Sequence, residues 1–155
     1  HVVIYCAAVD LPELWDFFTA LPNTVLVDHM GRPDVSKPVD GPEFALFIKF
    51  MREHPNVWSK VSCPERLSVT GPKALNGEQA AYRDVVPFAR NIVEQFPDRV
   101  LWGTDWPHPN LKGHMPDDGL LVDFIPHIAP TAELQRKLLV DNPMRLYWPE
   151  EKAAR

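Results

Sequence analysis

The sequence predicts an α/β fold in which parallel strands are joined by crossover helices. Two observations carry this expectation. Four short, β-rich apolar runs alternate with amphipathic helical segments along the 155 residues, and the loops between them are mostly short. A third sharpens it: every strand run ends on a polar or ionisable residue, and in parallel α/β architectures the carboxyl ends of the strands gather on one face.

The first strand is expected at 2–6 ("VVIYC"). A helix over 10–21 follows, with Asp10 as N-cap, Pro12 in the first turn, and Leu14, Phe17, Phe18 and Leu21 on one face. "TVLVDH" at 24–29 is the second strand. Residues 41–54 read as a helix with Pro42 in its first turn and Phe44, Phe47, Ile48 and Met51 inward. "NVWSKVSC" at 56–63 is the third strand; alternation puts Trp58, Lys60 and Ser62 on one face and Val57, Val61 and Cys63 on the other. Residues 77–96 are helical, with Pro87 predicting a break or kink. "RVLWGT" at 99–104 is the fourth strand, Thr131 caps "AELQRKLLV", and "NPMRLY" gives a last helical turn. No glycine-rich phosphate loop follows any strand, which argues against nucleotide binding.

With 45% hydrophobic and 24% charged residues, the chain has the composition of a soluble globular domain with one core. No apolar run approaches the roughly 18 residues that a membrane span needs. The formal net charge of -5 argues against nucleic acid or an anionic membrane surface as partner. Cys6 and Cys63 form neither a CxxC pair nor a zinc spacing, and are expected as reduced thiols of a cytoplasmic protein. The 17 prolines stand at helix starts and loop ends, where they mark boundaries. The chain opens at His1 directly on a strand pattern with no cap, turn or signal peptide, so it is expected to be a piece of a longer domain.

The strand ends hold the candidate chemistry: Tyr5 and Cys6, then Asp28 and His29, then Lys60, Ser62 and Arg66, and finally Asp105. In "RVLWGTDWPHPN" an apolar strand runs into Asp105, and Pro107 and Pro109 then restrict the loop. Each residue also has a plainer reading. Asp105 could cap the next segment, His29 could be a core histidine bonded to a carbonyl, and Arg32 and Arg66 could be surface ion-pair partners. His54, His114 and His127 sit in helix or loop contexts and read as structural, while His108, between two prolines, lies near any site that Asp105 belongs to.

At "VDHMGRP", "NVWSKVSCPERLS", "VLWGTDWPHPN" and "DNPMRLY" the sequence resembles the amidohydrolase superfamily, in the branch that includes lactonases and decarboxylases. The resemblance runs along nearly the whole chain and implies the C-terminal half of a (β/α)8 barrel, a fold that typically takes about 250 residues. The family's His-x-His pair of the first strand is absent here, which implies a missing N-terminal half. By the same resemblance Asp105 is the aspartate after the last catalytic strand and His29 the histidine after the fifth. Tyr5 falls at the end of the fourth strand, where metal-dependent relatives often place a carboxylated lysine. A tyrosine cannot bridge metals in that way, so the resemblance implies a hydrolase without metal or other cofactor.

The implied reaction opens a six-membered lactone carrying two carboxylates, in the bacterial breakdown of lignin-derived aromatics. Asp105 would be the general base and His29 would polarise the carbonyl, with Tyr5, Arg32, Arg66 and Ser62 binding the dicarboxylate. Two other readings stand beside it: a metal-dependent amidohydrolase or decarboxylase with His29 and Asp105 on zinc, and a fragment inactive by itself.

Overall fold

In the computed structural model the described residues are 1–72, 81–111, 113 and 115–150. Four strands, β1 (Val2–Ile4), β2 (Val25–Val27), β3 (Val57–Ser62) and β4 (Val100–Gly103), form one sheet in the order β1-β2-β3-β4. All three pairings are parallel, with Val2 opposite Val25, Val25 opposite Val57 and Ser59 opposite Val100. The order of strands in space follows the order in sequence, as right-handed crossovers through helices produce.

Strand alternation sorts the two faces. Val25, Val27, Val57, Val61 and Val100 point toward the helices and join the main core, with Phe44, Phe47, Phe50, Met51, Phe88 and Ile92 against them. Leu26, Trp58 and Leu101 point the other way into a small second cluster, with Leu146 packed on it and the Arg145 guanidinium 4.8 Å from the Trp58 ring. Lys60 shares that second face. Its ammonium pairs with Asp28 at 2.5 Å, one strand over, so neither charge is left alone against the sheet.

The helices are α1 (Leu11–Thr19), α2 (Pro42–Glu53), α3 (Pro64–Leu67), α4 (Val86–Gln95), α5 (Asp118–Asp123), α6 (Ile125–Ile128), α7 (Ala132–Arg136) and α8 (Asn142–Tyr147). Several expectations need correction. Asp10 stands at the N-cap position of α1 as expected, but it closes a 3-10 turn over Ala8–Asp10 and its side chain makes no cap bond. Leu11 and Phe18 are buried on the inward stripe of α1, with Leu14 and Trp15 packed against the core, and this leaves Phe17 on the flank, 62% exposed. The helix expected over 77–96 is interrupted at Pro87: residues 81–85 form turns, α4 begins at Val86, and Pro87 lies in its first turn, where a missing N–H costs nothing. Residues 77–80 of the helix expected there, and His114, lie outside the described residues. Thr131 caps α7 as expected, its hydroxyl accepting from Leu134 N at 3.2 Å. Among the described residues, no helix is long and apolar enough to cross a membrane.

The amino ends of the strands form a closed rim. The Arg99 Nη1 donates to the carbonyls of Met51, His54 and Val57 at 2.9, 3.0 and 2.9 Å. The buried Asn142 amide of "DNPMRLY" donates to the carbonyls of Pro97 and Val100, both at 2.8 Å, and so fastens α8 to the base of β4. These donors meet carbonyls in the last turn of α2, in the turn that follows it and at the starts of β3 and β4.

Candidate active site

At the opposite rim the backbone does something different. His29, Cys63 and Asp105 follow β2, β3 and β4 and hold φ of 53, 64 and 64°, a left-handed conformation that is uncommon for residues with a Cβ. Met30, Arg32 and His108 share it, at 60, 50 and 59°. Such backbone costs about 1 kcal/mol or more per residue and persists where surrounding contacts over-determine it, often at functional sites. Here it turns three strand ends sharply enough that their side chains face one another.

His29 is buried and sits at the centre. Its Nδ1 lies 2.7 Å from the Ser62 hydroxyl and its Nε2 3.5 Å from Asp105 Oδ1. A carboxylate beside Nε2 favours the tautomer with hydrogen on that nitrogen, so Ser62 donates to Nδ1 and Nε2–H points toward Asp105. Burial pushes the imidazole below its ordinary value, against the opposing pull of the Asp105 and Asp28 charges. The other Asp105 oxygen, Oδ2, meets the Cys63 thiol at 3.4 Å and Arg66 Nη2 at 3.4 Å. The Tyr5 ring packs edge-on against His29 with centroids 5.7 Å apart, and the guanidinium carbons of Arg32 and Arg66 lie 5.0 and 5.9 Å from that ring.

Arg66 has capacity left over. Its Nε and Nη2 are buried and find no hydrogen-bond acceptor among the described residues, and the Asp105 contact is an ion pair without hydrogen-bond alignment. A buried guanidinium with unused, coplanar donors is suited to a carboxylate.

The structure therefore brings Tyr5, His29, Arg32, Arg66 and Asp105 to one rim. Ser62 is there too, but in another place than expected: it is 1% exposed and lies behind His29, so it orients the imidazole and does not reach toward a ligand. Two residues escaped the sequence reading. Cys63, expected as a plain reduced thiol, stands against Asp105, and its place directly after a strand was the available signal. Glu65, one residue before Arg66, is fully buried against His108 at 3.2 Å, a pairing 43 residues apart that no local pattern reveals.

Ligand-capable atoms of His29, Cys63 and Asp105 lie within 4.8 Å of one another, close enough to meet on one metal ion. The set fits poorly. Burial first, then the Glu65 charge, push the Cys63 thiol far up, so with no cation beside it the thiol keeps its proton. A guanidinium already stands beside Asp105 Oδ2. Tyr5, half-exposed at the end of β1, brings no bridging carboxylate.

Residues 1–148 match the family described as Amidohydrolase, Amidohydro_2. This chain belongs to that family. It is 89% identical over 151 residues to 2-pyrone-4,6-dicarboxylate hydrolase of Comamonas testosteroni, covering 97% of this chain and 50% of the relative. With 4-sulfomuconolactone hydrolase of Hydrogenophaga intermedia the identity is 38% over 155 residues, covering 99% of this chain and 48% of the relative. A solved Pseudomonas putida structure assigned as a 2-pyrone-4,6-dicarboxylic acid hydrolase superposes with a TM-score of 0.72 at 26% identity, over 97% of this chain and 52% of that one. The chain spans about half the length of the curated relatives it matches. Its four parallel strands and their helices are accordingly half of an amidohydrolase barrel wall, and the rim holding His29 and Asp105 is the carboxyl-end rim where barrels of this kind carry their chemistry.

Proposed function

We propose that residues 1–155 are the C-terminal portion of a single barrel domain, and that the complete enzyme is a cytoplasmic, metal-independent hydrolase. It opens the lactone ring of 2-pyrone-4,6-dicarboxylate to 4-oxalomesaconate, reversibly, in the protocatechuate 4,5-cleavage route of bacterial aromatic breakdown. The near-identical relative supports the substrate. The observation that carries the mechanism is a buried arginine with unused donors standing 3.4 Å from a carboxylate that also faces a neutral histidine.

Substrate binding exchanges partners. A substrate carboxylate takes the Arg66 donors, with Arg32 and Tyr5 at its side, and Asp105 is released from its ion pair to become a stronger base. Asp105 then accepts a proton from water as the oxygen attacks the ring carbonyl. His29, held by Ser62 with hydrogen on Nε2, donates to the carbonyl oxygen as it gains charge. Collapse of the tetrahedral intermediate breaks the bond to the ring oxygen, which receives the proton from Asp105 and leaves as the enol of the product. Two negative charges enter a protein of net charge -5, so these local cations must outweigh the overall field. The other half of the barrel supplies the remaining groups, the His-x-His pair among them.

The test is ring opening by the full-length enzyme, followed as loss of pyrone absorbance, before and after exhaustive chelation. Retained turnover supports the proposal. The His29, Cys63 and Asp105 cluster favours one competing reading, a metal-dependent hydrolase. Activity abolished by chelation and restored by zinc or manganese establishes that reading instead.

A further inference from the structure

Two loops carry the reacting pair of the proposed mechanism: the one after β3 holds Arg66, and the one after β4 holds Asp105. The Arg66–Asp105 contact ties them together only until substrate arrives, because the mechanism requires that ion pair to open. A second tie lies directly beneath. His108 Nδ1 meets Glu65 Oε1 at 3.2 Å and His108 Nε2 meets Asp118 Oδ1 at 3.2 Å. Glu65 precedes Arg66 by one residue and His108 follows Asp105 by three, so the same two loops are fastened twice.

The second tie has the features of a rigid device. The side chains of Glu65 and His108 are 0% and 2% exposed, which removes the pair from solvent screening. Both ring nitrogens face carboxylate oxygens, so both contacts are attractive when each nitrogen carries a hydrogen. Asp118, in the first turn of α5, anchors the imidazole to a third element. The backbone closes on the same point: His108 N donates to Asp105 O at 2.7 Å and Leu111 N to His108 O at 3.2 Å. Nothing in the reaction uses Glu65 or His108, yet a buried carboxylate is costly unless it is paired.

We infer that His108 is a positioning residue: its link to Glu65 holds the Arg66 and Asp105 loops in register while substrate separates Arg66 from Asp105. The inference rests on the exchange of partners proposed above. It predicts that breaking the bridge to Glu65 damages binding and turnover together, since one loop carries the carboxylate-binding arginine and the other the base.

Two variants of the full-length enzyme separate the links, because an asparagine amide falls near the place of His108 Nδ1 and a glutamine amide near Nε2. His108→Asn keeps a partner for Glu65; His108→Gln keeps one for Asp118. Measured per folded molecule, His108→Gln should raise KM and lower kcat by about tenfold each, the scale on which small misplacements act, while His108→Asn stays within about threefold of wild type in both. A merely structural role would lower the folded fraction in both variants and leave KM unchanged, which overturns the inference. Binding of benzene-1,3-dicarboxylate, a planar dicarboxylate with no lactone, gives an independent reading by calorimetry. About tenfold weaker binding in His108→Gln, with binding by His108→Asn unchanged, supports the link even if wild type proves not to open the pyrone, a result that would sink the lactonase reading alone. Equal binding by the two variants overturns the bridge.

Discussion

Arg99 and Arg66 stand at opposite ends of one sheet, and the contrast between them separates what builds this protein from what it does. Arg99 precedes β4 and its Nη1 meets three backbone carbonyls. Burial pushes its guanidinium down from the ordinary value. Arg66 follows β3, is about as buried, and among the described residues keeps two nitrogens without acceptors while it leans on Asp105. Donors at the lower rim fasten the end of α2 to the starts of β3 and β4. Donors at the upper rim are left with capacity, on backbone held in a left-handed conformation that the lower rim does not need. On the proposed mechanism, the same residue type builds the fold where its hydrogen bonds are complete and binds substrate where they are not.

The strongest way to break this comparison is at Asp105. In the full-length enzyme Asp105→Asn preserves shape but cannot accept the proton from water, so kcat should fall by about 10²–10⁴ while KM holds or falls, the substrate being anionic. Steady-state kinetics check it. If most of kcat survives, the base lies elsewhere on the rim. Next in size is Arg99→Met, which leaves the carbonyls of Met51, His54 and Val57 without their donor. A loss of about 3 kcal/mol in urea denaturation is expected, at the upper end for buried groups left unsatisfied, with KM unchanged in the fraction that folds. Arg66→Met should do the reverse, raising KM by about 10–100-fold, as the loss of a charged hydrogen bond implies, with little effect on the denaturation midpoint. If Arg99→Met moved KM and Arg66→Met moved stability, the division between the rims would collapse.

Much of the fold was legible because its signals are local. Val25–Val27 and Val100–Gly103 are β-branched and apolar runs, and parallel pairing follows once helices intervene. The strand-end rule then placed Tyr5, His29, Arg66 and Asp105 on one rim without knowledge of a single contact. What stayed hidden depends on non-local pairing. Ser62 reads as a rim hydroxyl until His29, 33 residues away, is seen to use it. Glu65 reads as the acidic flank of a short helix until His108 covers it. The turn at His29 has Gly31, at φ 68°, to announce it, but the left-handed residues Cys63 and Asp105 have no left-handed glycine beside them. Phe17 misled for a simpler reason: its spacing from Leu14 and Phe18 fits the apolar face, but Leu11 and Trp15 set the centre of that face one step around the helix.

The smallest expected effect is a pH dependence of stability that belongs to the upper rim. Burial holds the folded-state pKa of His29 below the ordinary 6.5. The unfolded chain therefore binds a proton there more readily than the folded one, and the neutral imidazole contributes stability only where both states are deprotonated. That contribution is complete above about 6.5 and is lost as pH falls through the folded-state value. Denaturation midpoints measured from pH 7.5 down to pH 5, roughly the span over which an imidazole titrates, should fall more steeply for wild type than for His29→Gln, which has no proton to gain. The same titration should reduce kcat on the acid side, since an imidazolium draws the Asp105 carboxylate into a closer ion pair and away from water. Ser62→Ala tests the orientation of the ring separately: without the hydroxyl, Nδ1 is free to take the hydrogen, Nε2 then turns a lone pair toward Asp105, and kcat should fall with KM little changed. Parallel pH slopes for wild type and His29→Gln would show that the imidazole is not held neutral by its surroundings, and the donor role assigned to Nε2 would fall with that result.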